Sequence, residues 1–225
     1  GTERLSLRID SSELRFNWRD TGANTLFDSN NIAIPTDEQV CIAVTIDSTN
    51  DSHKFYLKGE VYEDTTAIGT LDSTSSAGSS LMGRSNSSNY VDGIVDDCMI
   101  IRNTALTPSQ VAAWMRGADP TPNVGHWKLD DGPRTQLVTD DDPVMAWYSR
   151  EGNNKGYVQG TTAKRPTYKE SAIGGKPGIL FDGVDDILRL GEGLLNSSEG
   201  VFFIVWRAVT LANNETLMAS ADESG

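Results

Sequence analysis

The sequence predicts an all-β fold, a two-sheet sandwich that carries one short helix. Short apolar runs rich in β-branched and aromatic residues recur along the chain, and Gly, Ser, Asn, Asp and Thr separate them. In residues 40–46 every second position is Val or Ile, which is typical of a strand with one buried face. A chain of 225 residues with 37% hydrophobic content can form one large β-sandwich or two smaller domains.

The strands are predicted from these runs and from the turn residues that bound them. They are residues 5–9, 14–18, 40–46, 54–57, 81–83 and 94–102, followed by 125–129, 178–181, 187–190, 201–209 and 216–220. Val61 follows a Lys58-Gly59 turn and continues the run that begins at residue 54. Between residues 132 and 176 the alternation is weak, so we expect long loops there.

One helix is predicted within residues 106–117. Thr107 is a suitable N-cap, Pro108 suits the first helical position, and Gly117 follows the last turn. The apolar residues that share one face of this helix are Val111, Trp114 and Met115. We therefore expect the helix to lie on the sandwich, and the Pro-rich residues 118–123 to form a linker after it.

Charge and cysteine content narrow the class of protein. The net charge of −13 and the lack of a basic stripe exclude nucleic acid as an expected partner. No apolar run is long enough to span a bilayer, so membrane insertion is not expected. Cys41 and Cys98 each lie in an apolar run, and they are either small core residues, which we favour, or a single disulfide.

Motifs in the first part of the chain resemble a known family. Residues 92–111, DGIVDDCMIIRNTALTPSQV, resemble the last long strand and short helix of laminin-G-like, concanavalin A-like jelly rolls. Residues 40–47, VCIAVTID, and residues 54–61, KFYLKGEV, resemble that family's paired strands. These motifs belong to the second half of such a domain.

Motifs that resemble the first half of the same domain follow the linker. Residues 124–132, VGHWKLDDG, resemble the opening strand, and residues 175–188, GKPGILFDGVDDIL, resemble a later strand and turn. Residues 146–154, AWYSREGNN, and 163–168, AKRPTY, are similar to stretches of phage and bacterial members. The resemblance thus implies an all-β, concanavalin A-like β-sandwich jelly roll whose halves occur in rotated order.

The rotated order implies a domain organisation. Residues 1–117 would be the second half, 118–123 the linker, and 124–225 the first half. A true permutation and a tandem array cut out of phase both explain this order. An open half-sandwich would expose apolar faces and strand edges to water, so each half must close on the other, in the same chain or in a neighbouring copy. We favour closure within one chain, with the last strands beside the first.

The resemblance also implies a structural calcium site. Family members with these patterns hold the ion between two acidic segments, and carboxylate oxygens are the ligands that calcium prefers. The candidate ligands in this sequence are Asp182, Asp185, Asp186, Asp96 and Asp97. The alternative is that these carboxylates accept hydrogen bonds from backbone amides in turns and need no metal.

Aromatic residues are the candidates for ligand binding, because exposed rings can stack on sugars. The candidate rings are Trp18, Trp147, Tyr148, Tyr157 and Tyr168. For the pair Trp147 and Tyr148, packing is as well supported as binding. Trp127 and Trp206 lie inside predicted strands and are assigned to the core.

The sequence does not indicate an enzyme. His53 and His126 have no nucleophile motif beside them, and the E-x-D-x-x-E strand of related jelly-roll glycosidases does not occur. We therefore expect a non-catalytic laminin-G-like binding or structural module on a virion or cell surface, first of all a phage capsid decoration, fibre or tail component.

Two alternatives remain open: a carbohydrate-binding accessory domain of a secreted polysaccharide-degrading enzyme, and a repeat unit of a surface adhesin. The expected partners are a surface glycan or neighbouring protein subunits, the latter as a homo-oligomer or a tandem array. The expected location is extracellular or on the virion surface.

Overall fold

The computed structural model describes residues 3–18, 32–47, 49–64, 79–83, 89–116, 118, 125–128, 139–150, 155–191, 199–212 and 215–221. Within these residues the chain forms sixteen strands, one α-helix and one 3₁₀ turn, Thr162–Lys164. The strands are β1 Glu3–Asp10, β2 Glu13–Trp18, β3 Ile32–Ala33, β4 Gln39–Asp47, β5 Ser52–Leu57, β6 Glu60–Asp64, β7 Ser79–Leu81, β8 Asp92–Arg102, β9 Gly125–Lys128, β10 Ala146–Tyr148, β11 Gly156–Val158, β12 Thr167–Ile173, β13 Lys176–Asp182, β14 Leu188–Leu190, β15 Glu199–Ala208 and β16 Glu215–Ala221. The α-helix, α1, is Pro108–Met115.

The strands form two antiparallel sheets, as an all-β sandwich requires. The first sheet has the order β10-β11-β14-β7-β16-β1-β2-β3, and the second has the order β12-β13-β8-β15-β4-β5-β6. The long strand β8 pairs with β13 near its start and with β9 near its end. The predicted fold class is therefore confirmed.

Strands from both predicted halves share each sheet. In the first sheet β16 pairs with β1, with Met218 opposite Leu7. In the second sheet β15 lies between β4 and β8 and pairs with both along most of its length. The last strands of the chain are thus hydrogen-bonded to strands from its first part, while the assignment of each part to half of a family domain stays a prediction.

The main core lies between the two sheets. Phe16 of the first sheet contacts Phe55 and Phe202 of the second, with ring centroids 5.5 and 5.6 Å apart. Residues 40, 42, 44 and 46 all point into this core, which confirms the alternation predicted from the sequence. Trp127 and Trp206 are fully buried there, as expected.

The helix begins and packs as predicted. Thr107 is the N-cap: its Oγ1 accepts a hydrogen bond from the Gln110 amide at 3.4 Å, and the Gln110 side chain accepts one from the Thr107 amide at 2.9 Å. Trp114 packs on Phe203 of β15, with ring centroids 4.1 Å apart. The helix thereby covers a second apolar cluster on the outer face of the second sheet. Gly117 lies outside the described residues.

The predicted long loop at residues 132–176 is wrong for the part that the structure describes, which contains β10, β11 and β12. β10 and β11 have three residues each, too few for a periodic pattern, and the side chains of β12 are mostly polar because β12 is an edge strand. Gly174 and Gly175, with φ of +58° and +80°, form the two-residue turn between β12 and β13. A Gly-Gly pair is a hairpin signal, so the sequence did contain a clue to β12.

Smaller differences occur at strand ends. The strand predicted at residues 81–83 is Ser79–Leu81, because Met82 has a left-handed φ of +61° and ends it. The two-residue strand β3 was not predicted.

The two cysteines are free thiols on opposite faces of the second sheet. Cys98 points into the main core, whereas Cys41 alternates with core residues of β4 and packs on the outer cluster. The disulfide alternative is therefore wrong. Burial, with a smaller effect of the nearby Asp97 carboxylate, raises the pKa of Cys41 to about 12 and raises the pKa of Cys98 as well.

Residues 139–150 link the two sheets along one side of the sandwich. The Asp141 amide donates to the Tyr168 carbonyl at 2.9 Å, and the Val144 amide donates to the Pro166 carbonyl at 2.7 Å, which ties this segment to β12 of the second sheet. The chain then enters β10 of the first sheet. β10 and β12 consequently lie on the same side of the molecule, and β6, at the other end of the second sheet, lies on the opposite side.

Candidate functional site

Three of the predicted calcium ligands lie together in the turn after β13. One ligand oxygen from each of Asp182, Asp185 and Asp186 lies within 4.8 Å of the others. Asp182 Oδ1 also accepts hydrogen bonds from the amides of residues 184, 185 and 186, at 2.9, 3.3 and 3.3 Å. The turn is therefore held by backbone hydrogen bonds and at the same time brings three carboxylates together.

This turn depends on Gly183. Its φ of +71° lies in the left-handed region, and a Cβ at this position would lie 2.7 Å from the Asp92 Cβ. Burial and the neighbouring Asp182 carboxylate raise the pKa of Asp186 to about 6. The carboxylates repel one another, and a cation between them would relieve that repulsion.

The structure does not bring the other two predicted ligands, Asp96 and Asp97, into this group. The register between β8 and β15 shifts here: Val205 pairs with Asp97 and Trp206 with Val95, so Asp96 is the extra residue of a bulge. Asp97 Oδ1 lies 2.7 Å from His126 Nε2, and both side chains are buried. The predicted five-residue site is thus corrected to three residues of one turn.

An open groove of about 560 Å³ lies on the outer face of the second sheet, next to this turn. Its apolar lining includes Ile94, Ala172 and Leu180. The charged residues that line it are Asp92, Asp140, Lys169, Glu170, Asp182 and Arg207. Lys169 and Glu170 belong to β12, which sequence reasoning had placed in a loop, and this is why the groove was missed.

The prediction that exposed aromatic rings bind a ligand is wrong for two of the five candidates. Trp147 and Tyr157 are buried in the main core, where Tyr157 packs edge-on against Trp127 with ring centroids 4.8 Å apart. A buried ring has no face left for a sugar. Tyr168 is half-buried on β12, and the side chain of Trp18 lies outside the described residues.

Among the predicted rings whose side chains the structure describes, Tyr148 is the one that is mostly exposed. It belongs to a pair that we call the edge patch, Tyr148 and Val158, which share the outer face of the β10–β11 pair and are 52% and 44% exposed. Tyr148 pairs with Gly156 of β11, and a Cβ on Gly156 would lie 2.8 Å from the tyrosine ring, so the ring covers the glycine. The edge patch is therefore a flat apolar surface at the end of the first sheet.

Residues 1–112 match a laminin-G family model of the concanavalin A-like lectin and glucanase superfamily. This chain carries a laminin-G-like, concanavalin A-like jelly-roll domain. The match includes the motifs at residues 40–61 and 92–111, so the predicted family resemblance is confirmed for this part of the chain. No curated protein and no solved structure matches the chain significantly.

A laminin-G-like domain supports a binding or structural role in general. The superfamily description names both lectins and glucanases, so the match by itself does not separate binding from hydrolysis. No helix in the described part of the chain is long and apolar enough to cross a membrane.

Proposed function

We propose that the laminin-G-like domain is a non-catalytic module that docks on protein surfaces, outside the cytoplasm on a virion or cell surface. The setting that we propose first is a phage capsid decoration, fibre or tail component. The edge patch carries this proposal. It exposes a ring and an aliphatic side chain on one face of a strand pair, and contiguous exposed apolar surface marks a contact site.

The orientation of the rings supports protein contact over sugar stacking. Of the aromatic candidates with described side chains, Trp147 and Tyr157 face the core, and no aromatic side chain lines the groove within the described residues. A flat surface with one exposed ring suits a neighbouring subunit, because Tyr supplies large contact area with few rotatable bonds.

Carbohydrate binding is the second candidate, and the groove favours it. The groove combines carboxylates and cations with an apolar lining, and these groups can hydrogen-bond the hydroxyls of a sugar while its C–H face lies on Ile94 and Leu180. This arrangement would suit an accessory domain of a polysaccharide-degrading enzyme.

A polysaccharide panel separates the two functions. We expect the purified domain to release no reducing ends and to show no retention on any polysaccharide, because docking through the edge patch needs no sugar site. Retention that Arg207→Ala abolishes and Tyr148→Ser leaves intact would replace the proposal with the carbohydrate-binding function. Release of reducing ends by the wild type would contradict a non-catalytic role.

We further propose a structural calcium ion at the turn of Asp182, Asp185 and Asp186. The donor set fits, because hard carboxylate oxygens from three residues converge and calcium completes its shell with water or carbonyl oxygens. Asp182 would bind through Oδ2, since its Oδ1 faces the turn amides. The ion would join the end of β13 to the start of β14.

Calcium should therefore raise the thermal stability of the domain. At a concentration about 100 times the Kd, binding to the folded state alone adds about 2.7 kcal/mol, or a rise in Tm of roughly 5–10 °C for a chain of this size. The measurement is the melting temperature in calcium and in chelator. Asp185→Asn should abolish the difference, and the control Asp47→Asn should not. Equal melting temperatures in wild type would show that backbone hydrogen bonds alone hold this turn.

A further inference from the structure

Glu215, the first residue of β16, is an acidic side chain inside the sandwich. It is 4% exposed, and its strand partner on β1 is the core residue Ile9. Because paired residues of neighbouring strands lie on the same face of a sheet, the Glu215 side chain points towards the space between the sheets. An ionised carboxylate in such a place has lost the water that stabilises its charge, and it needs hydrogen bonds or a cation instead.

The protein supplies only part of what an ionised Glu215 needs. The Ala212 amide donates a hydrogen bond to the Glu215 carboxyl, but the Oε2 atom of this carboxyl is buried and has no hydrogen-bond partner among the described residues. The charge that acts on it, from Asp92 of β8, is also negative. A second carboxylate nearby makes ionisation of Glu215 still more unfavourable.

Other titratable side chains beside these residues are directed away from the Glu215 carboxyl. On β1 they alternate with the core residue Ile9 and so lie on the opposite face of the strand. Before β8 a tyrosine ring lies against Gly83 instead. These side chains are Arg8, Asp10 and Tyr90. Within the described residues, therefore, no cation offsets a charge on Glu215.

Glu215 lies at the end of a connection between the two sheets. Residues 209–214, which we call the sheet connection, lead from β15 of the second sheet to β16 of the first. Asp92 holds the start of the sheet connection. The Asp92 carbonyl accepts from the Val209 amide at 3.0 Å, and Asp92 Oδ2 accepts from the Thr210 hydroxyl at 2.8 Å.

The Glu215 carboxyl holds the sheet connection further along, through the Ala212 amide. Directly after Glu215, the Thr216 amide donates to the Asn89 carbonyl at 3.2 Å. A Glu215 carboxylate that moves into water leaves the Ala212 amide without its acceptor and pulls the start of β16 away from this second bond. The position of one carboxyl group thus decides whether the sheet connection is closed.

We propose that Glu215 is a pH switch for the sheet connection. The protonated carboxyl stays between the sheets and keeps the connection closed, whereas the ionised carboxylate moves into water and opens it. Burial, and in addition the charge of Asp92, raise the pKa of Glu215 to about 7. The switch therefore works between mildly acidic and neutral conditions, and it does not involve the edge patch.

Stability should fall as the pH rises through this range. The pKa of Glu215 has its ordinary value of 4.5 in the unfolded chain and is raised to about 7 in the folded protein. Below the lower value both states hold the proton and there is no penalty. Between the two values the folded protein keeps a proton that the unfolded chain has released, so the folded-to-unfolded ratio falls, by up to about 300-fold when the pH passes the upper value.

Glu215→Gln tests the switch, because glutamine keeps the shape of the protonated carboxyl and does not ionise. The measurement is the unfolding equilibrium constant in denaturant at about pH 5 and about pH 8. The wild-type constant divided by that of E215Q should rise by roughly 10- to 100-fold between these two pH values. Other titratable groups, Asp186 among them, are present in both proteins, so this quotient reports Glu215 alone.

The matched control is Glu60→Gln, at an exposed glutamate of β6, and its unfolding constant should follow the wild type at both pH values. A quotient for E215Q that is equal at the two pH values would overturn the switch, because a purely structural role of Glu215 changes stability by the same factor at any pH.

Two further measurements keep the test independent of how well E215Q folds. In the wild type, a carbon-13 titration of the Glu215 carboxyl should have its midpoint near pH 7, and a midpoint near the ordinary 4.5 would overturn the switch. Amide hydrogen exchange at Ala212 and Thr216 should be faster in wild type than in E215Q at about pH 8 and equal in the two proteins at about pH 5. Equal exchange at both pH values would show that ionisation does not open the sheet connection.

Discussion

Replacing Phe202 with Ala should lower the free energy of unfolding by about 3–5 kcal/mol. Phe202 is fully buried in β15, the strand that lies between β4 and β8, and its ring contacts Phe16 of the opposite sheet at 5.6 Å between centroids. The truncation removes apolar contacts from both sheets at once and leaves a cavity in a strand that is held on both sides, so the surroundings can collapse only partly.

Denaturant unfolding at equilibrium measures this loss, with Val184→Ala as the control. Val184 is exposed at the tip of its turn, so its truncation should change the free energy of unfolding by less than about 0.5 kcal/mol. If the two variants lost equal stability, Phe202 would not lie between the sheets as described.

The second large effect is expected from adding a single methyl group at Gly93. A Cβ at this position would lie 2.3 Å from Trp206 Nε1 and 2.9 Å from the Arg207 carbonyl oxygen. The indole is buried and rigid, and the carbonyl belongs to the neighbouring strand, so neither atom can move without repacking the core. We expect Gly93→Ala to cost about 1–3 kcal/mol, or more if β8 separates from β15.

Gly160→Ala is the matched control for this change. A Cβ on Gly160 meets no atom within 4 Å, so the variant should be at least as stable as wild type. A gain of about 0.4–1 kcal/mol is expected if it appears, because alanine lowers the conformational entropy of the unfolded chain. Comparing the denaturation midpoints of the two variants isolates the clash from the general effect of replacing glycine. Equal midpoints would show that Trp206 does not cover Gly93.

Strong local patterns account for what the sequence predicted correctly. β4 and β15 are long strands buried between neighbouring strands. Their sequences therefore either alternate apolar residues with others or are apolar throughout, and both patterns are easily recognised in the sequence. The start of the helix was predictable down to its N-cap residue. Thr107 and Gln110 bond each other's backbone amides, and Pro108 has no amide that needs a partner. Such features need no knowledge of distant residues.

The parts that sequence reasoning missed depend on tertiary neighbours. Alternation requires Trp147 and Tyr148 to face opposite ways, but which of them faces the core depends on the position of β10 in the first sheet. The three acids of the β13 turn are close because they are close in sequence. The separate location of Asp96 and Asp97 follows from the register of β8 and from its bulge. No local pattern in the sequence shows either feature.

Separate expression of residues 1–117 and 124–225 tests the central claim, that strands from both parts build each sheet together. Because β15 and β16 pair, among the described strands, only with strands of the first part, we expect that neither fragment completes a sheet alone. We predict that each fragment alone shows no cooperative thermal unfolding, and that mixing them yields a folded one-to-one complex that unfolds cooperatively. A cooperative unfolding transition in either isolated fragment would contradict the account.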